Sequence, residues 1–125
     1  IPLRLVGSEM CIRDSRKLGM SLEEFHRYWL DEHGRLALRL RQHLSATRYV
    51  QSHTFIGEIT DKVRASRGTA EPFDGVAEAW FDEERNIKNI EANSAAVAIM
   101  VADEAKFIDL ENSVVFYTWE HEIFS

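Results

Sequence analysis

The chain has 125 residues, of which 45% are hydrophobic and 29% are charged, and these proportions are typical of one globular domain. Its 21 acidic residues outnumber its 15 lysines and arginines, and the net charge of −6 argues against a nucleic-acid partner, because phosphates would be repelled. The single cysteine, Cys11, excludes an internal disulfide and predicts a reducing, cytoplasmic location. No apolar run approaches the roughly 18 residues of a membrane-spanning helix, so we expect no membrane partner.

The N-terminal segment differs in character from the rest of the chain. Residues 7–15 read GSEMCIRDS, which resembles translated sequencing-adapter read-through. We therefore predict that residues 1–15 are foreign and that the domain comprises residues 16–125. The alternative is an ordinary first strand, because Leu3 and Leu5 alternate with Arg4 as in a half-buried strand.

The first predicted helix begins after Ser21, which forms a capping box with Glu24. Gly34 is the residue type that commonly ends a helix, and we predict that this helix ends there. A further helical piece is predicted over residues 35–43. The helix face expected to pack on the core consists of Leu22, Phe25, Trp29 and His33.

The remaining elements are two strands, a helix and a third strand. Alternating side chains predict strands over residues 48–55 and 73–81, separated by a polar loop over residues 57–72. Residues 82–105 have helical spacing, with a break predicted at Asn93 and Ser94. Residues 113–123 are rich in β-branched and aromatic side chains, which indicates a third strand.

This order of elements predicts an α+β fold of the ferredoxin-like split βαβ type, β-α-β-β-α-β. Residues 1–15 occupy the position of its first strand, which lies at the centre of the four-stranded antiparallel sheet. Helices on one side leave the other side of the sheet uncovered. We expect that side to be apolar and to be covered by a second copy of the chain, which predicts a homodimer.

Four blocks of sequence together suggest a family. They read GMSLEEFHRYWLDEHGRLAL from residue 19, RYVQSH from residue 48, FDGVAEAWFD from residue 73 and ADEAKFIDLENSVV from residue 102. In this order they resemble the EthD domain family, named after ethyl tert-butyl ether degradation. The resemblance implies a dimeric α+β barrel, in which two protomers pack sheet to sheet and each encloses an apolar pocket.

His33 is the first candidate catalytic residue. It matches the family histidine within the sequence Asp-Glu-His-Gly. A helix C-terminus favours a charged imidazole and burial opposes one, so we expect a pKa near physiological pH, as suits a general acid or base. The alternative is a structural histidine that caps the helix.

Glu78 is a second candidate catalytic residue. It shares one face of its predicted strand with Val76 and Trp80, and in a dimeric barrel that face points into the cavity. A buried carboxylate is costly unless it is paired or functional, so we predict a catalytic role. The alternative is a structural pairing with Arg48.

Tyr49 and His53 complete the predicted catalytic set. They lie four residues apart on one strand face, from which they could orient a substrate oxygen or assist His33. The alternative is an interface or sheet-edge position. The predicted ligand-binding residues are Trp29, Trp80 and Phe107, for which the alternative is an ordinary place in the core.

The sequence contains no HExxH, no pair of histidines spaced by four and no GxGxxG, so we predict neither a metal nor a cofactor. The leading hypothesis, implied by the resemblance, is a cofactor-free enzyme acting on a small aromatic, polyketide-like or other hydrophobic substrate. Cyclases, dehydratases, isomerases and decarboxylases are its relatives, although the family often carries the label oxidoreductase. Two alternatives remain open: a non-catalytic ligand-binding or accessory protein of a degradation pathway, and a haem-binding barrel.

Overall fold

The computed structural model describes residues 8–81 and 90–125. Its strands are β1 (Ser8–Asp14), β2 (Ala46–His53), β3 (Gly75–Phe81) and β4 (Val114–Thr118). Its helices are α1 (Leu22–Tyr28), α2 (Gly34–Leu40), α3 (Glu58–Arg67) and α4 (Ile90–Glu104). A π-helical turn (Trp29–His33) joins α1 to α2, and 3₁₀ turns lie at Arg41–His43 and Leu110–Asn112. No helix in these two ranges is long and apolar enough to cross a membrane.

The four strands form one antiparallel sheet in the order β2-β3-β1-β4. This arrangement confirms the predicted ferredoxin-like α+β fold. Strand β1 lies at the centre, where it pairs with β3 from Ser8 opposite Phe81 to Asp14 opposite Gly75. It thus occupies the first-strand position, while its origin as read-through stays a prediction.

The first helix begins as predicted and continues further than predicted. The Ser21 hydroxyl accepts a hydrogen bond from the Glu24 backbone N–H, and the Glu24 carboxylate accepts one from the Ser21 N–H. The predicted end at Gly34 is wrong, because Gly34 has ordinary helical angles (φ −61°, ψ −41°) and its N–H donates to the Trp29 carbonyl. This bond to the fifth residue back is the π-helical turn, through which the helix runs on to Leu40.

Helix α3 lies where the sequence predicted a loop. The prediction was wrong because α3 buries no residue, so its sequence has no apolar stripe that marks a helix. Local contacts define it instead. Gly68 caps its C-terminus with left-handed angles (φ 66°), and Arg64 forms an ion pair of 2.7 Å with Glu71.

Two boundaries in the C-terminal part also differ from the prediction. Helix α4 is continuous across Asn93 and Ser94, because these residues are only slightly unfavourable inside a helix and alanines follow them. The part of the predicted helix at residues 82–89 lies outside the described residues. Strand β4 ends at Thr118, because its pairing with β1 ends at the Glu9–Thr118 pair.

The core lies between the helices and one face of the sheet, which we call the covered face. It is built around Phe25, Trp29, Phe107 and Ile108. Gly75 lets the Trp29 ring approach the backbone, since a Cβ there would lie 2.7 Å from Trp29 Cη2. On β3 the residues that face the helices are buried, namely Gly75, Ala77 and Ala79.

The opposite face of the sheet, the open face, has no helix over it among the described residues. The expectation that it is apolar was wrong, because alternate residues of the strands place charged groups there. Its charged side chains are those of Glu9, Arg13, Arg48 and Glu78. Arg48 lies over the Trp80 ring at 4.4 Å, and Arg13 lies over the Phe116 ring at 5.3 Å.

Candidate functional site

A cavity of about 240 Å³ lies between the covered face and the helices. Its walls are mainly apolar and come from every strand, the long first helix and α4. Representative apolar lining residues are Met10, Ile12, Trp29, Ala77, Val97 and Ile108. Four lining residues are polar: Asp14, His33, Tyr49 and Glu104. An apolar cavity with a few converging polar groups is the usual form of a small-molecule site.

His33 is held in the cavity wall by an aspartate from a different helix. The His33 side chain is 3% exposed, and its Nδ1 lies 2.7 Å from Asp103 Oδ2. Its ring also contacts Phe107, with the ring centroids 5.1 Å apart. The π-helical turn keeps Trp29 and His33 both facing the core, and α4 brings Asp103 to them from 70 residues further along the chain.

Asp103 is held as a carboxylate by its own partners. Its Oδ1 accepts a hydrogen bond of 2.7 Å from the Tyr28 hydroxyl and lies 3.5 Å from Lys106 Nζ. Burial alone would raise the pKa of Asp103, but the hydrogen bonds from Tyr28 and His33 hold it below its usual value. Burial and the bond to Asp103 raise the pKa of Tyr28 to about 12, so its hydroxyl stays a donor.

The His33 imidazole is neutral at physiological pH. Burial lowers the pKa of His33, and the opposing effect of Asp103 is smaller. The expected charge-favouring effect of a helix C-terminus is absent, because α2 continues directly after His33. The Nδ1–H therefore donates to Asp103, which leaves Nε2 as a proton acceptor. Among the described residues, Nε2 has no hydrogen-bond partner.

Tyr49 joins His33 in the cavity lining, while the predicted joint action of these two residues stays a prediction. Gln51 Nε2 donates hydrogen bonds to the Tyr49 hydroxyl, at 3.2 Å, and to the Trp29 carbonyl, at 2.9 Å. Burial raises the pKa of Tyr49, so its hydroxyl keeps its proton and can donate to a ligand oxygen.

His53 lies beside the cavity wall rather than in the lining. Its ring stacks on Trp29, with the ring centroids 4.6 Å apart and an interplanar angle of 12°. The centroid of the His26 ring also lies 4.6 Å from that of His53. A hydrogen bond of 2.9 Å joins its Nε2 to Gln51 Oε1. Burial and the neighbouring His26 lower the pKa of His53. In this position His53 fixes Trp29 and Gln51, two residues that shape the site.

The predicted ligand-binding residues fall in three different places. Trp29 lines the cavity, and Phe107 is fully buried behind His33 as part of the core. Trp80 lies on the open face, where its Nε1 donates a hydrogen bond of 3.1 Å to Glu120 Oε2. The structure thus brings Trp29 together with His33 and Tyr49, while Trp80 lies on the other side of the sheet.

Glu78 also lies on the open face, away from the cavity. It belongs to a group with Glu9 and Cys11 in which one ligand atom from each residue lies within 4.8 Å of the others. Within the described ranges, this group has the composition of a possible metal site. The neighbouring Glu78 carboxyl and burial raise the pKa of Glu9.

Asp14, Asp103 and Glu104 are site residues that the sequence reasoning missed. Asp14 lies in the segment set aside as foreign, and nothing local distinguishes Asp103 or Glu104 from other acidic residues near a helix end. The block that begins at Ala102 contained a usable signal, because the acidic pair Asp103 and Glu104 stands just before the apolar residues Phe107 and Ile108. Only the fold shows which member of that pair meets His33.

Comparison with known proteins agrees with this architecture. An EthD-family protein from Bacillus halodurans has a TM-score of 0.58 at 11% identity, covering 91% of this chain and 98% of that one. An EthD-like protein from Ralstonia eutropha has a TM-score of 0.56 at 17% identity, with coverages of 94% and 95%. A hypothetical protein from Arabidopsis thaliana has a TM-score of 0.53 at 12% identity, with coverages of 95% and 92%. At these identities the structures show a shared fold.

Sequence comparison identifies the family. No curated protein matches this sequence. The family model for the EthD domain matches residues 17–111. That match extends over most of the chain and includes His33, Tyr49 and Asp103, so the chain belongs to the EthD domain family.

Proposed function

We propose that this chain is a cofactor-free enzyme that moves protons on a small, hydrophobic, carbonyl-containing substrate, with His33 as the general base. The observation that carries the proposal is the buried His33–Asp103 pair in the wall of an apolar cavity. The fixed Nδ1–H···Asp103 bond orients the imidazole, so that its Nε2 is the atom available to a bound molecule. Burial keeps that nitrogen unprotonated, as a base requires.

The chemistry follows from this arrangement. Nε2 of His33 removes a proton from a carbon next to the substrate carbonyl, and the electron pair of the broken C–H bond moves onto the carbonyl oxygen. Asp103 stabilises the imidazolium that forms, while the Tyr49 hydroxyl is placed to donate to the developing oxyanion. Return of the proton to a different atom gives isomerisation. In cyclisation the enolate carbon attacks a second carbonyl carbon, and the oxygen of that carbonyl takes the proton back from His33.

Exchange of substrate protons for deuterium tests this proposal without knowledge of the final product. We expect the protein to accelerate α-proton exchange in aromatic and polyketide-like ketones in D₂O, followed by NMR. His33→Gln should slow the exchange by about 10² to 10⁴, the usual contribution of a general base. Asp103→Asn should slow it by a smaller factor, because the imidazole loses its orienting partner.

The matched control is His43→Gln, which changes an exposed histidine in the 3₁₀ turn. It should exchange protons at the wild-type rate. Equal rates in His33→Gln and wild type, with folding confirmed by circular dichroism, would remove His33 from the mechanism. Ligand retention without exchange across the panel would instead support the non-catalytic binding protein.

We also propose that two copies associate through their open faces, as the family resemblance implies. Support comes from the charges there, since Arg13 and Arg48 on one copy can meet the partly exposed Glu78 on another. Sedimentation velocity tests this, with a dimer expected. A role in catabolism and a cytoplasmic location belong to the same proposal and rest on the family name and the single cysteine.

A further inference from the structure

The apolar cavity contains two carboxyl groups that the proposed mechanism does not use. Asp14 is supplied by the end of β1, and Glu104 by the last turn of α4, so the two reach the cavity from different elements. Asp14 is 2% exposed, and its Oδ1 is buried without a hydrogen-bond partner among the described residues. A buried polar atom of this kind is costly to leave unpaired, and because Asp14 lines the cavity, a ligand bound there is in a position to supply its partner.

We propose that Asp14 and Glu104 form a hydrogen-bond-donating end of the cavity that selects an uncharged carbonyl compound and rejects a carboxylate. This inference rests on the proposed function, because it concerns the same cavity. It is made for this chain, in which Asp14 belongs to the segment 1–15 that the sequence predicts to be foreign. It adds that the substrate must be uncharged and must have a carbonyl oxygen that accepts a hydrogen bond.

The protonation of the pair supports this assignment. Burial, together with the negative charge of Glu104, raises the pKa of Asp14 to about 7. Burial, together with the charge of Asp103, raises the pKa of Glu104 to about 7. Near neutral pH each carboxyl group therefore carries a proton for a substantial part of the time. A protonated carboxyl donates a hydrogen bond through its O–H, which a carboxylate cannot do.

The other ionisable groups around the cavity favour the same ligand. From the first helix comes the neutral His33, from β2 the protonated Tyr49, and from α4 the charged Asp103 behind His33. The described lining includes no lysine or arginine. An anionic ligand would therefore enter an apolar space already next to the Asp103 charge, with no cation to compensate it. A neutral carbonyl oxygen accepts from Asp14 or Glu104 without that cost.

Acetophenone and benzoate form a suitable probe pair, because they have similar size and differ in charge. Titrations followed by the methyl NMR signals of Ala77 and Ile108 should give a dissociation constant at least tenfold lower for acetophenone at pH 6. Acetophenone binding should weaken about tenfold between pH 6 and pH 8.5, as the donors ionise and one hydrogen bond is lost.

Two substitutions at one position separate donation from shape. Glu104→Gln keeps an N–H donor that does not ionise, so it should reduce the loss of acetophenone affinity above pH 7. Glu104→Leu removes the donor and should weaken acetophenone binding at pH 6. Glu111→Gln, at an exposed position in the last 3₁₀ turn, is the control and should behave as wild type.

Three results would overturn the inference. Benzoate binding as tightly as acetophenone would show that the cavity does not select against charge. An unchanged pH dependence in both Glu104→Gln and Asp14→Asn would show that these carboxyls are not the donors. Either result leaves His33-dependent proton exchange untouched, so the proposed function would stand. Failure of both probes and all exchange substrates to bind would overturn the two proposals together.

Discussion

Strand β1 contributes one buried carboxyl group to each face of the sheet, and the two groups differ in what surrounds them. On the open face, Glu9 Oε2 accepts a hydrogen bond of 3.2 Å from the Thr118 hydroxyl, while its Oε1 is buried without a hydrogen-bond partner among the described residues. On the covered face, Asp14 Oδ1 is likewise buried without a partner among the described residues, but Asp14 lines a cavity whose walls are mostly apolar. Both carboxyl groups have raised pKa values, for Glu9 chiefly through a neighbouring carboxyl and for Asp14 chiefly through burial.

The difference shows how one strand can serve two purposes. On the open face, strand β4 supplies a partner to one oxygen of Glu9, because opposing side chains lie close together across a sheet. On the covered face, the helices lie far enough from the sheet to leave a cavity between them. The polar groups there depend on one another or on a ligand, and that dependence distinguishes a candidate site from a surface cluster.

The largest expected stability effect is at Asp14. The folded-state pKa of about 7 lies above the ordinary 3.8, so the folded protein holds a proton that the unfolded chain releases from about pH 4 upward. Stability is therefore lost as pH rises from about 4 to 7, and Asp14→Asn should remove that loss. Urea unfolding gives the difference in unfolding free energy between the variant and wild type. Between pH 4 and pH 8 this difference should change in favour of the variant by roughly 2 to 4 kcal/mol.

Glu78→Gln is the matched change on the open face. Glu78→Gln also removes the carboxyl that raises the pKa of Glu9, and because Glu78 is partly exposed we expect a smaller difference than at Asp14 over the same pH range. Equal pH dependence in the two variants would show that the two faces do not differ in the way described.

A smaller effect on stability is expected when an added side-chain atom overpacks the core at Gly75 on the covered face. Gly75→Ala would place a Cβ 2.7 Å from Trp29 Cη2 and 3.1 Å from the Ser52 carbonyl oxygen, which forces the ring to move. Overpacking of this kind should cost about 1 to 3 kcal/mol of unfolding free energy in thermal or urea denaturation. It should also disturb the stacking of His53 on Trp29, visible as a shift of the His53 NMR signals.

Gly34→Ala is the control for that change. Its Cβ would lie 3.4 Å from Gln51 Nε2, and the residue is helical, so the substitution should be neutral or stabilising by up to about 1 kcal/mol. Two equally destabilised alanine variants would indicate that glycine is needed at both places for backbone reasons rather than for the Trp29 contact.

The sequence predicted those parts of the fold that have a buried face. Contact with the core produces both the helical spacing of Phe25, Trp29 and His33 and the alternation along β3. Both elements were therefore identified correctly. Helix α3 has no buried residue and left no comparable pattern. The continuation of the first helix through Gly34 depends on the π-helical turn, which residue propensities do not reveal.

The site was only partly predictable for a related reason. His33 and Tyr49 lie in recognisable blocks, and the structure brings both to one cavity. Asp103 acts by pairing with His33, 70 residues away in the sequence, and no local sequence pattern predicts a contact over that separation. Glu78 was predicted to be catalytic because its strand face was expected to point into the cavity of a dimeric barrel. That face is the open face, on the other side of the sheet from the cavity described above. The predicted catalytic role of Glu78, like that of His53 and like haem binding, stays a prediction.

The protonation state of His33 is the central claim, and ¹⁵N NMR of its imidazole over a pH series tests it most directly. We predict a neutral ring at pH 7 with the proton on Nδ1, and a pKa below 6.5, because burial outweighs the attraction of Asp103. Asp103→Asn should lower that pKa further. A His33 pKa above 6.5, or a neutral ring with its proton on Nε2, would contradict the assignment of His33 as a general base facing the cavity.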